Sequence, residues 1–147
     1  MHRIFLILSA FVLGVSFTGI AQTSSTLEFE SGESVQSLDV TVLEARIIDG
    51  FAQLDAQIIG PGTGILLDMG SDPAIAVAST NATATSDLMF ISPNGTIITI
   101  VKSAAPGSLN TIELSNRIAA ILQLPAGAAS DLGILPGSSV SHEILNN

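Results

Sequence analysis

Short apolar and β-branched segments, separated by polar residues, Gly and Pro, recur along most of this chain and are typical of β-strands. The two most regular are Asp87–Ile91 and Thr96–Val101, which a Ser-Pro-Asn-Gly segment joins at residues 92–95. Proline fixes the φ angle of a turn, and Asn-Gly tolerates the positive φ angles that a tight connection requires. The pattern predicts a β-hairpin. Because both strands are almost wholly apolar or β-branched, we expect it at the centre of a sheet.

Other segments add strands and a few short helices to this hairpin. Strands are predicted where residues alternate with period two or form a short apolar run, at 38–43, 65–67, 75–78, 118–124 and 139–145. Spacings of three and four predict a short helix over Glu44–Leu54, and Ala128–Leu132 predicts a second helix that Gly133 ends. About seven strands with two or three short helices indicate a mainly β fold with short helices (α+β), in one compact, barrel-like domain.

The first 21 residues have the pattern of a secretory signal peptide. His2 and Arg3 precede an apolar run over Ile4–Ile20, and the small residues Gly19 and Ala21 suit a cleavage site. We predict cleavage after Ala21, and therefore a periplasmic or secreted protein. An uncleaved membrane anchor is the alternative, although a bilayer span needs about 20 apolar residues. No Cys follows the run, which excludes a lipoprotein anchor.

The rest of the chain is predicted to form one domain behind a flexible leader. Residues 22–36 are rich in Ser, Thr and Glu and poor in large apolar side chains, so the leader is predicted there. The domain is predicted over residues 37–147, which is long enough for a single hydrophobic core. Because the chain has no Cys, thiol catalysis, thiolate metal sites and iron–sulfur clusters are excluded.

The charge of the chain is strongly acidic, with a formal net charge of −9 at pH 7. All 13 acidic side chains lie beyond Ala21, where the basic ones are Arg46, Lys102 and Arg117. Nucleic acid is not an expected partner, because binding a polyanion requires clustered Lys and Arg. For the same reason no membrane partner is expected after signal cleavage. The acids are scattered, which favours a role in solubility.

Seven short motifs follow one another from about residue 37 to residue 145. They are Gly-Phe-Ala-Gln at 50–53, Gly-Ile-Leu-Leu at 64–67, Ala-Ser-Thr-Asn-Ala at 78–82, Ser-Asp-Leu-Met-Phe at 86–90, Asn-Gly at 94–95, Leu-Gln-Leu-Pro-Ala-Gly at 122–127 and Gly-Ser at 137–138. In order and spacing this series resembles the family known as domain of unknown function 192, which comprises small exported bacterial domains without an assigned activity. Each motif alone is unspecific, whereas the seven in this order are fairly specific.

Most polar positions of the family's motifs are replaced in this chain. Gln53 lies at or near the family's Arg, and Gln123 replaces its Glu; the family's Trp, Lys, Thr and closing Asp become Ala78, Thr80, Ala82 and Ser138. Of the polar positions, Asn81 and Asp87 remain. The resemblance implies that these positions line a shared cleft. The candidate ligand-binding residues are therefore Asn81, Asp87, Gln123 and Gln53, and no catalytic residue is predicted.

Three other features could carry chemistry, and a structural role is favoured for each. His142 could join a Ser-His-Asp triad, but a solvent-facing strand His near a frayed C-terminus is expected. Asp68 and Asp72 could help to hold Ca²⁺, but the ligand set of a calcium loop is missing, so we expect a polar turn and no metal or cofactor. Asp87 has no evident second acid for a paired-carboxylate mechanism and is expected to accept backbone N–H bonds.

These observations favour a non-catalytic binding or structural module with an unknown ligand or protein partner. The alternative is a hydrolytic or ligand-processing enzyme that uses Asp87 and Asn81 in a cleft. Such an enzyme would need a second ionisable group, such as Glu44, Asp49 or Asp68, within about 5–6 Å of Asp87. A subunit of a complex on the cell surface is a third hypothesis, which an exposed apolar patch of several hundred Å² would support.

Overall fold

The computed structural model describes residues 23–54, 60, 62–70, 76–78, 84–111 and 117–145. These residues form a mainly β domain, which confirms the predicted fold class. A short helix, α1 (Ala128–Asp131), and a 3₁₀ turn at Glu143–Leu145 accompany the strands. The strands are β1 (Thr23–Ser31), β2 (Ser34–Glu44), β3 (Ile47–Ile48), β4 (Phe51–Gln53), β5 (Thr63–Asp68), β6 (Ala76–Ala78), β7 (Ser86–Ile91), β8 (Ile97–Ala104), β9 (Leu109–Thr111), β10 (Ala120–Pro125) and β11 (Val140–Ser141).

A curled seven-stranded sheet forms the body of the domain, in the order β11-β1-β2-β5-β10-β7-β8. β2 and β5 run parallel, and the other neighbouring pairs of this sheet are antiparallel. A smaller sheet follows the order β3-β4-β6-β9. Within the described part of the chain, no helix is long and apolar enough to cross a bilayer.

A C-terminal strap, residues 137–141, contains β11 and joins β1 to the hairpin of β7 and β8. On one side Val140 pairs with Phe29 of β1. On the other side the N–H of Val140 donates to the carbonyl of Gly95 at 2.7 Å, and the N–H of Ile97 donates to the carbonyl of Ser138 at 2.9 Å. These bonds satisfy backbone groups that an open sheet edge would leave unpaired. The strap therefore holds the sheet in its half-barrel curl.

The two faces of the large sheet bury separate clusters of side chains because residues in a strand alternate between faces. On β7, Met89 and Ile91 point into the inner core, which lies inside the curl with Leu27, Phe29 and Leu122. The intervening residues point to the outer core; its buried members include Leu88, Phe90, Ile65, Leu67, Ile121, Ala52 and Leu54. β7 is buried along its whole length, as a central strand with two covered faces requires.

The prediction of a flexible leader over residues 22–36 is wrong, because residues 23–36 belong to β1, β2 and the turn between them. The strand β1 pairs with β2 from Thr23 to Ser31. Leu27 and Phe29 are completely or almost completely buried in the inner core. The domain therefore includes residues before the predicted start at 37. Residues 1–22, which contain the predicted signal peptide and cleavage site, lie outside the described residues.

The helix predicted over Glu44–Leu54 is also wrong, because this segment contains the antiparallel pair β3 and β4. Asp49 and Gly50 connect the two strands with φ angles of 52° and 82°. Two consecutive positive φ angles are the geometry of a tight hairpin connection, which Asp-Gly favours. The apolar spacing was compatible with a helix, but the turn residues determine the local structure.

The hairpin of β7 and β8 is present with its predicted turn, and Gly95 has a φ angle of 82°. Its predicted central position is wrong for one strand: β7 is internal, whereas β8 is the last strand of the sheet. The short helix before Gly133 is confirmed as α1, and Gly133 follows it with a φ angle of 69°. The last predicted strand is shorter than expected, since β11 gives way to the 3₁₀ turn.

Candidate functional site

Among the described residues, Asp87 is the buried carboxylate, and its side chain is 1% exposed. One oxygen, Oδ1, accepts the backbone N–H of Ser103 at 2.9 Å. The other, Oδ2, accepts the N–H groups of Gly127 and Ala129, each at 3.1 Å. Burial of a carboxylate is costly unless hydrogen bonds replace its hydration. These three donors provide that replacement, so the predicted backbone role of Asp87 is confirmed.

The three donors belong to two segments that Asp87 joins. Ser103 lies at the end of β8 with a φ angle of 53°, near a register shift between β7 and β8. Gly127 precedes α1 and has no side chain that could cap the helix. The first N–H groups of a helix lack partners within the helix, so a carboxylate nearby stabilises it. Asp87 thus caps α1 from a distant strand and fixes both segments against β7.

Gln123 lies on the opposite face of the sheet from Asp87. Gln123 pairs in register with Leu88 of the outer core, whereas Asp87 pairs with Leu124 of the inner core. The amide Nε2 of Gln123 donates to Oγ of Ser86 at 3.1 Å, and both side chains are buried. Gln123 therefore does not share a cleft with Asp87, and its amide is used within the outer core.

Gln53 lies in β4, on the strand face opposite Ala52, which belongs to the outer core. Its side chain is half-buried, and its Nε2 donates to the carbonyl of Phe51 at 3.0 Å. Asn81 lies outside the described residues. Of the four predicted ligand-binding residues, Asp87 and Gln123 lie on adjacent strands but on different faces, and Gln53 bonds to its own strand.

A cleft of about 300 Å³ opens beside the segment that Asp87 holds. We call it the α1 cleft. The start of β5, the end of β10 and α1 line this cleft, together with Leu38 of β2. The other lining residues include Thr63, Leu124, Ala126, Ala128 and Leu132. Ala126 and Ala128 are sequence neighbours of Gly127 and Ala129, which donate to Asp87. The carboxylate therefore positions one wall of the cleft without pointing its charge into it.

The lining of the α1 cleft is mainly apolar, with Asp131 as its charged member. Small-ligand sites are typically concave and apolar with a few polar groups, and this cleft has that character at the small end of the size range. Nothing in the sequence indicates that the start of β5 and the end of β10 lie close together. That proximity follows from the antiparallel pairing of β5 with β10, which joins residues far apart in the chain.

His142 is 4% exposed, so the prediction of a solvent-facing side chain is wrong. Its Nδ1 accepts the backbone N–H of Ile144 at 3.3 Å, and its Nε2 lies 2.6 Å from Oγ of Ser25. A neutral imidazole carries one N–H. Because Nδ1 accepts, the proton is on Nε2, which donates to Ser25. A general base would need the reverse tautomer, so this pair is not arranged to activate a nucleophile.

The described part of the turn at Asp68, up to Gly70, is an ordinary polar turn. Oδ1 of Asp68 accepts the N–H of Gly70 at 2.9 Å. Asp72 lies outside the described residues. In the described ranges no group of three or more His, Asp or Glu side chains is placed to hold a metal ion.

We expect the environment of His142 to make stability depend on pH. Burial lowers the pKa of His142 below its ordinary value of 6.5, and the nearby Glu143 opposes this shift. As the pH decreases, His142 binds a proton near pH 6.5 in the unfolded chain, but only at a lower pH in the folded chain. The free energy of unfolding therefore falls as the pH decreases below 6.5. The slope is at most about 1.4 kcal/mol per pH unit for one group.

Urea unfolding between pH 7.5 and pH 5.5 measures this slope. The His142→Gln variant is the control, because glutamine does not titrate in that interval. We expect the slope of the parent protein to exceed that of the variant. Equal slopes would contradict the assignment of a depressed pKa to His142.

The fold is a small, mainly β, half-barrel domain. The sequence model of the family domain of unknown function 192 (DUF192), described as "Uncharacterized ACR", matches residues 27–142. The chain belongs to this family, which confirms the predicted resemblance. The match begins within β1, in agreement with the inclusion of β1 in the domain. No curated protein matches the chain.

Two solved structures have a similar fold. One is a protein from Sinorhizobium meliloti 1021 that is proposed to be a transcription regulator, with a TM-score of 0.67 and 23% identity, over 84% of this chain and 96% of that chain. The other is a protein of unknown function from Novosphingobium aromaticivorans DSM 12444, with a TM-score of 0.65 and 14% identity, over 81% of this chain and 85% of that chain. At these identities the likeness establishes the fold alone.

Proposed function

We propose that this protein is an exported, non-catalytic module that binds a small, largely apolar ligand in the α1 cleft. The observation that carries the proposal is an apolar cleft of about 300 Å³ whose wall Asp87 holds in place. The export component rests on the signal-peptide pattern of residues 1–21.

The non-catalytic component is supported by the hydrogen bonds of Asp87, whose two oxygens both accept from the backbone. A catalytic carboxylate needs a free oxygen beside the substrate and, for paired acid–base chemistry, a second ionisable group. Asp68 pairs with Ala120, whereas Asp87 pairs with Leu124, four residues further along β10. That separation is roughly 13 Å along the strand, too far for a shared reaction.

The chemistry of the ligand follows from the lining of the α1 cleft. The apolar wall favours a hydrophobic group, because its burial removes apolar surface from water. Asp131 at the exposed rim, together with the net charge of −9, disfavours an anionic group. We therefore expect the ligand to be apolar with a neutral or cationic end.

Filling the cleft tests this proposal. Ala126 is exposed and lines the cleft, so an indole ring in Ala126→Trp would occupy its volume. With the neutral fluorescent probe N-phenyl-1-naphthylamine, we expect saturable binding to the parent protein and at least about tenfold weaker binding to the variant. Fluorescence titration measures both affinities.

Ala105→Trp is the matched control, since Ala105 is also exposed but lies in the turn after β8, outside the lining of the α1 cleft. Equal losses in the two variants, or no probe binding to the parent, would contradict the proposed site. Turnover of a sugar, ester or phosphate substrate that is lost in a folded Asp87→Asn variant would contradict the non-catalytic component.

A further inference from the structure

A second cleft, of about 220 Å³, opens at the other end of the large sheet. The α1 cleft lies at the start of β5 and the end of β10, whereas this one lies at the end of β5 and the start of β10. We call it the Arg117 cleft. Apolar walls come from the hairpin turn and the 3₁₀ turn, and the main lining residues are Asp68, Pro93, Arg117, Ala119, Ile144 and Leu145.

Two opposite charges line the Arg117 cleft without pairing with each other. The carboxylate of Asp68 accepts the N–H of Gly70, and this is a local turn contact. Arg117 is exposed, and among the described residues its guanidinium forms no ion pair with Asp68. Each group therefore keeps capacity to bind an oppositely charged partner. A cleft that is lined by a separate carboxylate and guanidinium suits a ligand with both a positive and a negative charge.

A second carboxylate, that of Glu44, lies beside Asp68 but outside the lining of the cleft. Glu44 pairs in register with Asp68 across the parallel strands β2 and β5, and registered residues project to the same face of a sheet. Two neighbouring carboxylates favour a cationic group beside them. The guanidinium of Arg117 matches the planar geometry of a carboxylate, which it binds through two parallel N–H bonds.

We propose that the Arg117 cleft binds a zwitterion of the α-amino acid class. In this arrangement the carboxylate of the ligand lies against Arg117, its ammonium group lies toward Asp68, and an aliphatic side chain packs against Pro93, Ile144 and Leu145. The small volume fits a single amino acid rather than a folded peptide. This site is separate from the α1 cleft, so the two proposals stand or fall independently.

Titration calorimetry with three probes of similar shape tests this inference. L-Leucine carries both charges, 4-methylpentanoate lacks the ammonium group, and 3-methylbutylamine lacks the carboxylate. We expect L-leucine to bind and each analogue to bind about tenfold more weakly or not at all, because each loses one charge-assisted contact. Equal affinity of either analogue, or no binding of L-leucine, would overturn the proposal.

Charge-removing variants locate the site. We expect Arg117→Gln and Asp68→Asn each to weaken L-leucine binding about tenfold. Lys102→Gln is the matched control, since Lys102 is exposed and its Nζ donates to Oγ of Ser130 in α1, away from the Arg117 cleft. Asparagine at position 68 keeps an oxygen for the N–H of Gly70, so folding is expected to be preserved, and thermal unfolding checks this. Unchanged affinity in both variants, or an equal loss in Lys102→Gln, would overturn the assignment.

Discussion

Replacing Asp87 with alanine is expected to lower the free energy of unfolding by about 3–5 kcal/mol. The substitution leaves three backbone N–H groups, of Ser103, Gly127 and Ala129, without their acceptor. Each donor that stays buried without a partner costs about 1–3 kcal/mol, and water can reach the two that are only part-buried. Equilibrium unfolding in urea, followed by circular dichroism, measures the loss.

Two further variants make this test specific. Asp39→Ala removes an exposed carboxylate from β2, and we expect it to change the free energy of unfolding by no more than about 0.5 kcal/mol. Asp87→Asn keeps one acceptor oxygen but turns an amide N–H₂ toward a backbone donor, so its loss should be intermediate. A loss below about 1 kcal/mol in Asp87→Ala would contradict the structural role of this residue.

The second large effect is expected at Gly95, where alanine would prevent the C-terminal strap from docking. A Cβ atom at this position would collide with the backbone carbonyl oxygen of Val140, and the φ angle of 82° is unfavourable for alanine. The collision involves the same two residues as the hydrogen bond that the N–H of Val140 donates to the carbonyl of Gly95. It would therefore disturb that bond. We expect Gly95→Ala to lower the free energy of unfolding by about 2–4 kcal/mol in urea unfolding.

Gly107→Ala separates the collision from the backbone strain. Gly107 has a φ angle of 79°, close to that of Gly95, but a Cβ atom there would meet no atom within 4 Å. Its cost should be about 1–2 kcal/mol, the cost of a left-handed conformation alone. Amide hydrogen exchange should show faster exchange at Val140 in Gly95→Ala than in Gly107→Ala. Equal losses in the two variants would contradict the role of the strap contact.

The sequence contained strong signals where local chemistry determines the structure. The hairpin around the Asn-Gly turn and the helix that Gly133 ends both depend on residues adjacent in the chain. The position of Asp87 at the start of β7 was sufficient to predict that it accepts backbone N–H bonds. The identity of its partners was not predictable, since Ala129 lies 42 residues away.

Two wrong predictions, the flexible leader and the helix over Glu44–Leu54, fall on segments whose sequence does contain a local signal for strands. β1 appeared polar because its outward side chains are Ser, Thr and Glu, yet Leu27 and Phe29 alternate with Glu28 and Glu30 at the period of a strand. Likewise, the Asp49-Gly50 pair indicates a hairpin turn within the segment predicted to be helical.

The candidate site was harder to predict because it depends on pairing over long distances in the chain. The faces on which Asp87 and Gln123 lie follow from the register of β7 and β10. A one-residue change in that register would move Gln123 to the inner face. The α1 cleft requires β5 and β10 to meet at one end of the sheet, and neither strand carries a local signal for its neighbour.

The most direct test of the central claim is a nuclear magnetic resonance titration of the ¹⁵N-labelled protein with N-phenyl-1-naphthylamine. The account predicts that saturable amide shifts concentrate on the α1 cleft, from Leu124 to Leu132 and at Leu38 and Thr63. Shifts that instead concentrate around Gln53 and Gln123, or that spread over the whole sheet, would contradict it.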